Sequence, residues 1–482
     1  MSFRRAIMIN FVSSSGATIV HFFVTLLLAR LLTPSDIGIY SITVVFVNIA
    51  NIFRDFGVGS YIQSEKNLTN DKIRSAMGIM FSSTWAIALL LYGSAQVISN
   101  FFGYPAMVPV VHVLASGFLF IPFGSLVMSL MHRGFQADKL AWVTVASTTA
   151  YATTCLFLAY IGFGAMSMAW ANLASIVASA CVCAFMRPVG LPWLPSFKGW
   201  GRIVKFSTGT LLTNSINALN NALPDMLLGK LGTSHQVGLL SRANSTVNIF
   251  TQMAGSAVNF GSLSYISQAF YRNESLSPIL NRSVGLLTGF GWPALALTAF
   301  LSNEIILTLY GSTWVSCTSA IPALAISAGI AMMFNYTGTA LIATGKPYLA
   351  SIPIILTVIS RITMATVFFA NDIEKFSRVI LGATVLTSIP YFYLQSTILK
   401  YKITEMIKVL SKSMFVTLCC LLTCSIIIYI LPSSTRPWQT LSIIAAPTVA
   451  AWYFSIRLCS HVALDEINNI FIKIYEKIPF KN

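Results

Sequence analysis

The chain contains the stretch Leu28-Ala29-Arg30-Leu31-Leu32-Thr33, and two hundred residues later it carries the related stretch Leu228-Gly229-Lys230-Leu231-Gly232-Thr233. The similarity continues at the same offset, because Ile37-Gly38-Ile39-Tyr40-Ser41 corresponds to Val237-Gly238-Leu239-Leu240-Ser241. Similarity at a fixed offset is the sequence signature of an internal structural repeat. The sequence therefore predicts a protein built from two related halves.

The composition places these halves in a membrane. Of the 482 residues, 56% are apolar and 9% are charged, whereas soluble proteins carry about 25% charged residues. This excludes soluble enzymes, disordered chains and fibrous proteins. About fourteen apolar segments reach the roughly 20 residues that a transmembrane helix needs, and they lack the alternation of barrel strands. We therefore expect an all-α polytopic membrane protein of about 14 transmembrane helices.

The distribution of the basic residues, which give the chain a net charge of +16, is explained by a predicted orientation in the membrane. Most of the 30 lysines and arginines fall in the segments that are cytoplasmic if the N-terminus lies inside, which is the positive-inside asymmetry. This distribution places both termini in the cytoplasm and requires no nucleic acid partner. The first helix is too long for a cleaved signal peptide and is expected to remain a span. The eight cysteines are scattered over apolar segments, where we expect buried thiols.

Six predicted helices separate the two copies of the repeat. Because six is an even number, the copies face the same way, and a pseudo-two-fold axis along the membrane normal would relate two parallel six-helix lobes, as in some transporters. The predicted divisions are an N-lobe 1–187, a cytoplasmic linker 188–203, a C-lobe 204–400, two C-terminal helices within 401–461, and a cytoplasmic amphipathic tail 462–482.

Polar residues recur at spacings of three and four on four predicted helices, which places each set on one helix face. The sets are Asn10, Ser14, Thr18, His21 and Thr25; Ser41, Asn48, Asn51 and Asp55; Thr210, Asn214, Asn217, Asn221 and Asp225; and Ser241, Ser245, Asn248, Gln252 and Asn259. Helix packing is one explanation, because such side chains join membrane helices by hydrogen bonds. A hydrated cavity lined by these repeat-related faces is the other, and we favour it because polar faces avoid hydrocarbon.

Charged residues inside membrane helices cost about 2.5–3.5 kcal/mol each, so they indicate function. Arg361 falls within a predicted helix, Asp225 lies on a polar face, and Arg54 and Asp55 end the second helix. Three further basic residues lie near the predicted outer surface, namely Arg30, Lys230 and Arg242. For these three, snorkelling to the interface is an alternative, and Asp225 has the alternative of a structural ion pair with Lys230 or Arg242.

The motifs of nucleotide-driven and metal-dependent chemistry are absent from the sequence. Gly345-Lys346-Pro347 lacks the flanking residues of a phosphate-binding loop, and there is no His-Glu-x-x-His. We therefore predict no catalytic residues, no metal and no cofactor. An ion gradient, H⁺ or Na⁺, would drive transport. Asp225 is the first candidate for proton coupling, with His21 as its relay, and Asp55 is a further candidate.

Several motifs resemble one family. They are Ala29-Arg30-Leu31-Leu32-Thr33 with Ile37-Gly38-Ile39-Tyr40, Arg54-Asp55-Phe56-Gly57, Asp225 to Gly232 followed by Val237 to Ala243, Tyr310-Gly311-x-x-Trp314, and Leu341 to Lys346. The pattern resembles the polysaccharide transporter family, the Wzx-type flippases of lipid-linked oligosaccharides, and within it the colanic-acid-exporter-like branch. The resemblance covers about residues 1–400, and Leu240 stands where the family usually has Tyr.

The resemblance implies the multidrug/oligosaccharidyl-lipid/polysaccharide exporter fold in the bacterial inner membrane. The implied substrate is an undecaprenyl-pyrophosphate-linked oligosaccharide of an O-antigen, capsule or exopolysaccharide, moved by alternating access from the cytoplasmic to the periplasmic leaflet. A polysaccharide polymerase and a chain-length regulator would be partners. Amides and hydroxyls suit sugars, and arginines such as Arg54 and Arg361 suit a pyrophosphate. The predicted substrate path is Arg30, Asn48, Asn51, Arg54, Asn214, Asn217, Asn221, Lys230, Arg242, Asn248 and Arg361.

Two alternatives remain open at this point. A multidrug cation antiporter of the same superfamily would share the fold, although organic cations favour aromatic and carboxylate walls over basic ones. A membrane-embedded polysaccharide polymerase would also be polytopic, although such enzymes usually carry a long periplasmic loop, and no outer loop here is long.

Overall fold

The structure is a computed structural model that describes residues 3–54, 58–65, 67–188, 190–192, 194–197, 200–258, 272, 274–344, 346–369, 371–432, 434–466 and 468. For residues 3–8, 10, 11, 60, 64, 202–214, 250, 253–258 and 347 it describes the backbone alone. Asp55 and most of the predicted tail 462–482 lie outside the described residues, and so does the side chain of Asn214.

The chain forms two compact units, residues 1–241 and 242–482. The helices of the first unit are α1 (Phe3–Leu31), α2 (Pro34–Arg54), α3 (Val58–Ser64), α4 (Asn70–Phe102), α5 (Met107–Arg133), α6 (Ala137–Tyr160), α7 (Ala165–Phe185) and α8 (Gly201–Leu231). Helix α9 (Ser234–Val258) contains the boundary between the units. The predicted lobe boundaries at 187 and 204 stay predictions.

The second unit continues with α10 (Ser277–Phe300), α11 (Ser302–Leu309), a 3-10 helix (Ser312–Ala320), α12 (Ile321–Met333), α13 (Thr337–Ala343), α14 (Pro347–Phe368), α15 (Ile373–Thr397), α16 (Ile403–Ile430) and α17 (Pro437–Leu458). Within the described ranges, twelve helical segments are long and apolar enough to cross a membrane. Helices α8 and α9 have 31 and 25 residues, which is also sufficient at about 1.5 Å per residue. The all-α polytopic fold is confirmed, whereas the count of fourteen spans and the cytoplasmic termini stay predictions.

The predicted linker packs against the start of α4. The backbone N–H of Ser196 donates to the carbonyl of Arg74 at 2.8 Å, and the Arg74 guanidinium donates to the carbonyl of Leu194 at 3.2 Å. Leu191 and Trp200 join the apolar cluster formed by α3, α4 and α5. These two hydrogen bonds pair backbone groups of Leu194 and Ser196, which lie outside any helix.

Equivalent residues begin α2 and α9. Thr33 and Asp36 form a reciprocal N-terminal capping pair, in which the Thr33 N–H donates to the Asp36 carboxylate at 3.1 Å and the Asp36 N–H donates to the Thr33 hydroxyl at 3.2 Å. Thr233 and Gln236 repeat both bonds at 3.0 and 3.3 Å. Such capping boxes satisfy donors that a helix start leaves unpaired. The repeat therefore extends to local hydrogen bonding.

The two repeat-related helix starts also cross at backbone contact. A Cβ atom added at Gly38 would overlap the carbonyl oxygen of Ser234, and one added at Gly238 would overlap the carbonyl oxygen of Pro34. Next to this crossing, the hydroxyls of Ser41 and Ser241 lie 3.2 Å apart. Each contact is matched by its equivalent 200 residues away, so the repeat read from the sequence is a structural repeat with a local two-fold relation.

In the second unit, a buried polar chain anchors the turn after α17. The His461 Nε2 atom lies 3.0 Å from the Ser413 hydroxyl, which lies 2.8 Å from the Thr288 hydroxyl. The Ala463 N–H donates to His461 Nδ1 at 3.1 Å, so a neutral ring donates from Nε2 to Ser413. Burial and the nearby Lys412 ammonium lower the pKa of His461 to about 4, which keeps the ring neutral at pH 7.

We expect Gly38→Ala and Gly238→Ala to destabilise the protein, because each added methyl group would meet backbone atoms that have no rotamer with which to yield. The expected cost is about 1–3 kcal/mol, typical of overpacking, measured as a lower melting temperature in detergent. Gly93→Ala in α4 is the matched control, since nothing lies within 4 Å of a Cβ there. Equal melting temperatures for all three variants would contradict the close crossing.

Candidate functional site

Helix α8 presents an exposed face of amides. Asn217 and Asn221 are exposed, and Asp225, one turn further on, is half-buried. Helix α8 packs against the membrane-spanning helices α2 and α4. Hydrocarbon offers no hydrogen bonds to exposed amides, so such a face is stable where it meets water or a polar ligand. The predicted polar face of this helix therefore has the exposure that a polar path requires.

An ion pair with Lys230 was one alternative explanation of Asp225, and these two residues do not form that pair. The Lys230 ammonium donates to the carbonyl of Phe101 at 2.5 Å and lies 4.3 Å from the centre of the Phe101 ring. Phe101 belongs to the last turn of α4, where carbonyls lack helical partners and a cation is stabilised. Lys230 thus holds α8 to the end of α4, and among the described residues Asp225 has no ion-pair partner.

Helix α2 ends at Arg54, whose guanidinium is held by a hydrogen bond to a neighbouring side chain. Arg54 donates from Nη1 to the Asn51 side-chain oxygen at 3.1 Å, and its carbonyl accepts a 2.6 Å hydrogen bond from the Ser83 hydroxyl. Asn48, one turn before Asn51, is exposed. Two of the predicted path residues, Asn51 and Arg54, are therefore in direct contact. Since α2 packs against α8, the two polar faces belong to one packed group of helices.

Helix α1 carries a polar face whose members differ in their contacts. The Thr18 hydroxyl donates to the Ser14 carbonyl at 3.0 Å within the helix. His21 is exposed, and its ring centre lies 5.0 Å from that of Tyr151 on α6. Arg30 is exposed in the last turn. The contact of His21 with Tyr151 gives no support to a relay toward Asp225, which stays a prediction.

In the second unit, Arg242 lies against two aromatic rings. It is 5% exposed, and its guanidinium carbon lies 5.5 Å from the ring centre of Tyr310 and 5.2 Å from that of Trp314. Thr246 donates to the Arg242 carbonyl at 2.9 Å and lies 3.4 Å from the Tyr310 hydroxyl. Tyr310-Gly311-x-x-Trp314 therefore packs on the start of α9 through cation–π contacts, a structural explanation for Arg242.

The other two path residues of the second unit are more accessible. Asn248 is exposed on α9, and Arg361 is half-buried past the middle of α14. The assignment of these residues to a substrate path stays a prediction, as it does for Arg30, Lys230 and Asn214.

Comparison with known proteins identifies the family. The model of the family described as "Polysaccharide biosynthesis protein" matches residues 27–319. The chain belongs to this family. The teichuronic acid biosynthesis protein TuaB of Bacillus subtilis (strain 168) is 20% identical over 346 residues, 70% of this chain and 71% of that protein. The lipopolysaccharide biosynthesis protein WzxC of Escherichia coli (strain K12) is 19% identical over 133 residues, 28% of this chain and 27% of that protein.

Two solved structures share the fold. The lipid II flippase MurJ, in an inward closed conformation, superposes with a TM-score of 0.76 at 15% identity, covering 94% of this chain and 98% of that one. An inward-facing multidrug resistance transporter of the MATE family superposes with a TM-score of 0.60 at 12% identity, covering 80% and 95%. The predicted polysaccharide family is confirmed by the family match, and the predicted fold by these superpositions. The chain is a multi-pass membrane protein of the polysaccharide biosynthesis family, and it shares the fold of these two structures.

We expect Arg242→Ala to lower the melting temperature and the abundance of the protein, because it leaves two buried rings without their cation. Contacts of this kind are worth about 2 kcal/mol or more when desolvated. Arg378→Ala is the control, since its pair with Glu374 is exposed and exposed pairs contribute about 0–1 kcal/mol. Normal stability with lost transport in Arg242→Ala would instead assign Arg242 to the substrate path.

Proposed function

We propose that the protein moves an undecaprenyl-pyrophosphate-linked oligosaccharide from the cytoplasmic to the periplasmic leaflet, as a unit of an O-antigen, capsule or exopolysaccharide. The observation that carries the proposal is the exposed amide face of Asn217 and Asn221 on α8, within a helix group that spans the membrane. An amide both donates and accepts hydrogen bonds, which matches the hydroxyls of a sugar. The family match to polysaccharide biosynthesis over residues 27–319 supports the same substrate class.

Arg54 is the proposed partner of the pyrophosphate in the first unit. Its contact with Asn51 at 3.1 Å holds one arm of the guanidinium in place, and a planar guanidinium matches phosphate oxygens in a bidentate geometry. Arg361 on α14 is a second proposed partner, because its guanidinium has the same chemistry. The basic character of these residues favours an anionic head group over the organic cations of a multidrug antiporter.

Alternating access is the proposed mechanism, and the crossing of α2 and α9 is the proposed contact that opens. Backbone meets backbone at Gly38 and Gly238, so few side chains interdigitate there. A contact of this kind is held mainly by close packing and the neighbouring Ser41–Ser241 pair. Its separation would break few specific bonds, which suits a contact that forms and opens in each transport cycle.

A proton gradient is the proposed drive, with Na⁺ as the other coupling ion to test. Each charge that crosses 100 mV supplies about 2.3 kcal/mol. Asp225 is the proposed carrier because it lies on the amide face of α8 and does not pair with Lys230, whose ammonium binds Phe101. Proton binding would remove a negative charge from the polar path, and the substrate anion would favour the other state.

We expect Arg54→Ala to abolish complementation of a flippase-null strain while membrane abundance stays normal, because the pyrophosphate loses a charge-assisted bond. Arg54→Lys should restore transport only in part, since an ammonium lacks the bidentate geometry. Arg457→Ala is the matched control, another arginine in the last turn of a spanning helix. Loss of abundance in Arg54→Ala would show a structural role, and full complementation would contradict the assignment.

We expect Asp225→Asn to abolish substrate-linked proton flux in proteoliposomes while substrate binding is retained, because an amide does not titrate. Asp138→Asn, which changes an exposed carboxylate in the first turn of α6, should leave the flux intact. Unaltered proton flux in Asp225→Asn would overturn its role as carrier, and a flux that follows Na⁺ instead would identify the other ion.

A further inference from the structure

A groove runs between α1 and α6 in the first unit. It has a volume of about 660 Å³ and lies between residues 9–20 of α1 and 141–149 of α6. Volumes of roughly 300–1,000 Å³ are typical of sites that hold organic ligands. We call it the α1–α6 groove. The amide faces of the proposed substrate path do not contribute to its lining.

The lining of the groove is suited to a hydrocarbon chain. Seven of the eleven lining residues have no polar side-chain atom; among these seven, Gly16, Ala17 and Ala141 are the smallest, and Val12 and Val145 are larger. A Cβ atom at Gly16 would have nothing within 4 Å, so the glycine leaves open space. The other four lining residues carry hydroxyls, namely Ser13, Thr144, Thr148 and Thr149. The Thr144 hydroxyl donates to the Leu140 carbonyl at 3.0 Å. An apolar chain therefore enters without displacing that hydrogen bond.

The groove lies in the predicted cytoplasmic half of α1, beside a polar face of the same helix. Residues 9–20 extend for about 17 Å at helical rise, roughly half of a 30 Å hydrocarbon core, and they belong to the predicted cytoplasmic half of α1. On the same helix, Ser14, Thr18 and His21 are exposed on an adjoining polar face. A lipid whose head group follows the polar face would have its chain beside it, at the α1–α6 groove.

We propose that the α1–α6 groove binds the polyisoprenoid chain of the lipid-linked substrate in the cytoplasmic leaflet. This inference rests on the proposed function, because it assigns the head group to the polar path and the polyisoprenoid chain of the same lipid to the groove. Lipid tails are as apolar as the lining, so close packing in the groove, rather than exclusion from water, would hold the chain there. The groove would thereby hold the lipid while its head group enters the polar path.

The test uses the full-length protein in nanodiscs and a diazirine-bearing undecaprenyl phosphate that carries no sugar. Photolabelling followed by peptide mass spectrometry should place the label on residues 9–20 and 141–149. Gly16→Phe should lower this labelling severalfold, because its ring would occupy the open space beside Gly16 that the chain would otherwise fill. Gly93→Phe is the matched control, because Gly93 also has nothing within 4 Å, and its labelling should equal that of the wild type.

Label outside the groove in the wild-type protein would overturn the inference, and this result does not depend on the folding of a variant. A diazirine phospholipid that labels the groove equally, and competes equally with undecaprenyl phosphate, would also overturn the inference. The groove would then be an ordinary lipid contact. The proposed function is measured separately as transport of a lipid-linked oligosaccharide. Labelling of the groove without transport contradicts the proposed function alone, and transport with an unlabelled groove contradicts the groove alone.

Discussion

The close crossing of α2 and α9 depends on the absence of two side chains. Gly38 and Gly238 let each helix start touch the backbone of the other, and the capping boxes at Thr33 and Thr233 fix where both helices begin. A one-residue shift in either helix start would bring a Cβ atom into the contact. The polar faces of α2 and α8 have defined neighbours because this crossing and the Lys230–Phe101 contact fix the helices around them.

The cationic residues of the membrane helices have two different roles. Arg242 and Lys230 are used by the fold, since Arg242 packs on Tyr310 and Trp314 and Lys230 binds the end of α4. Arg54 is held by Asn51 beside exposed Asn48, which is a geometry suited to binding. Sequence position alone groups all of these as intramembrane or interfacial charges. Their contacts separate the residues that hold helices together from the residue that we propose binds substrate.

Much of the fold was predictable because its causes are local or periodic. Apolar length predicts spans, and the 200-residue offset predicts related halves. The capping boxes were present in the sequence as Thr-x-x-Asp and Thr-x-x-Gln, a spacing that identifies helix starts. The Ser41–Ser241 contact, the cation–π packing of Arg242 and the α1–α6 groove were missed. Each depends on which faces of separate helices meet, and periodicity does not determine that pairing.

The most direct test of the proposed alternating-access mechanism measures transport by Ser41→Cys/Ser241→Cys before and after oxidation. The hydroxyls of these residues lie 3.2 Å apart, so the paired thiols should form a disulfide across the crossing. The account predicts that the cross-linked protein stops moving lipid-linked oligosaccharide and resumes after reduction, while either single variant, treated alike, transports normally. Full transport by the cross-linked protein would contradict the account, because the crossing would then have no need to open.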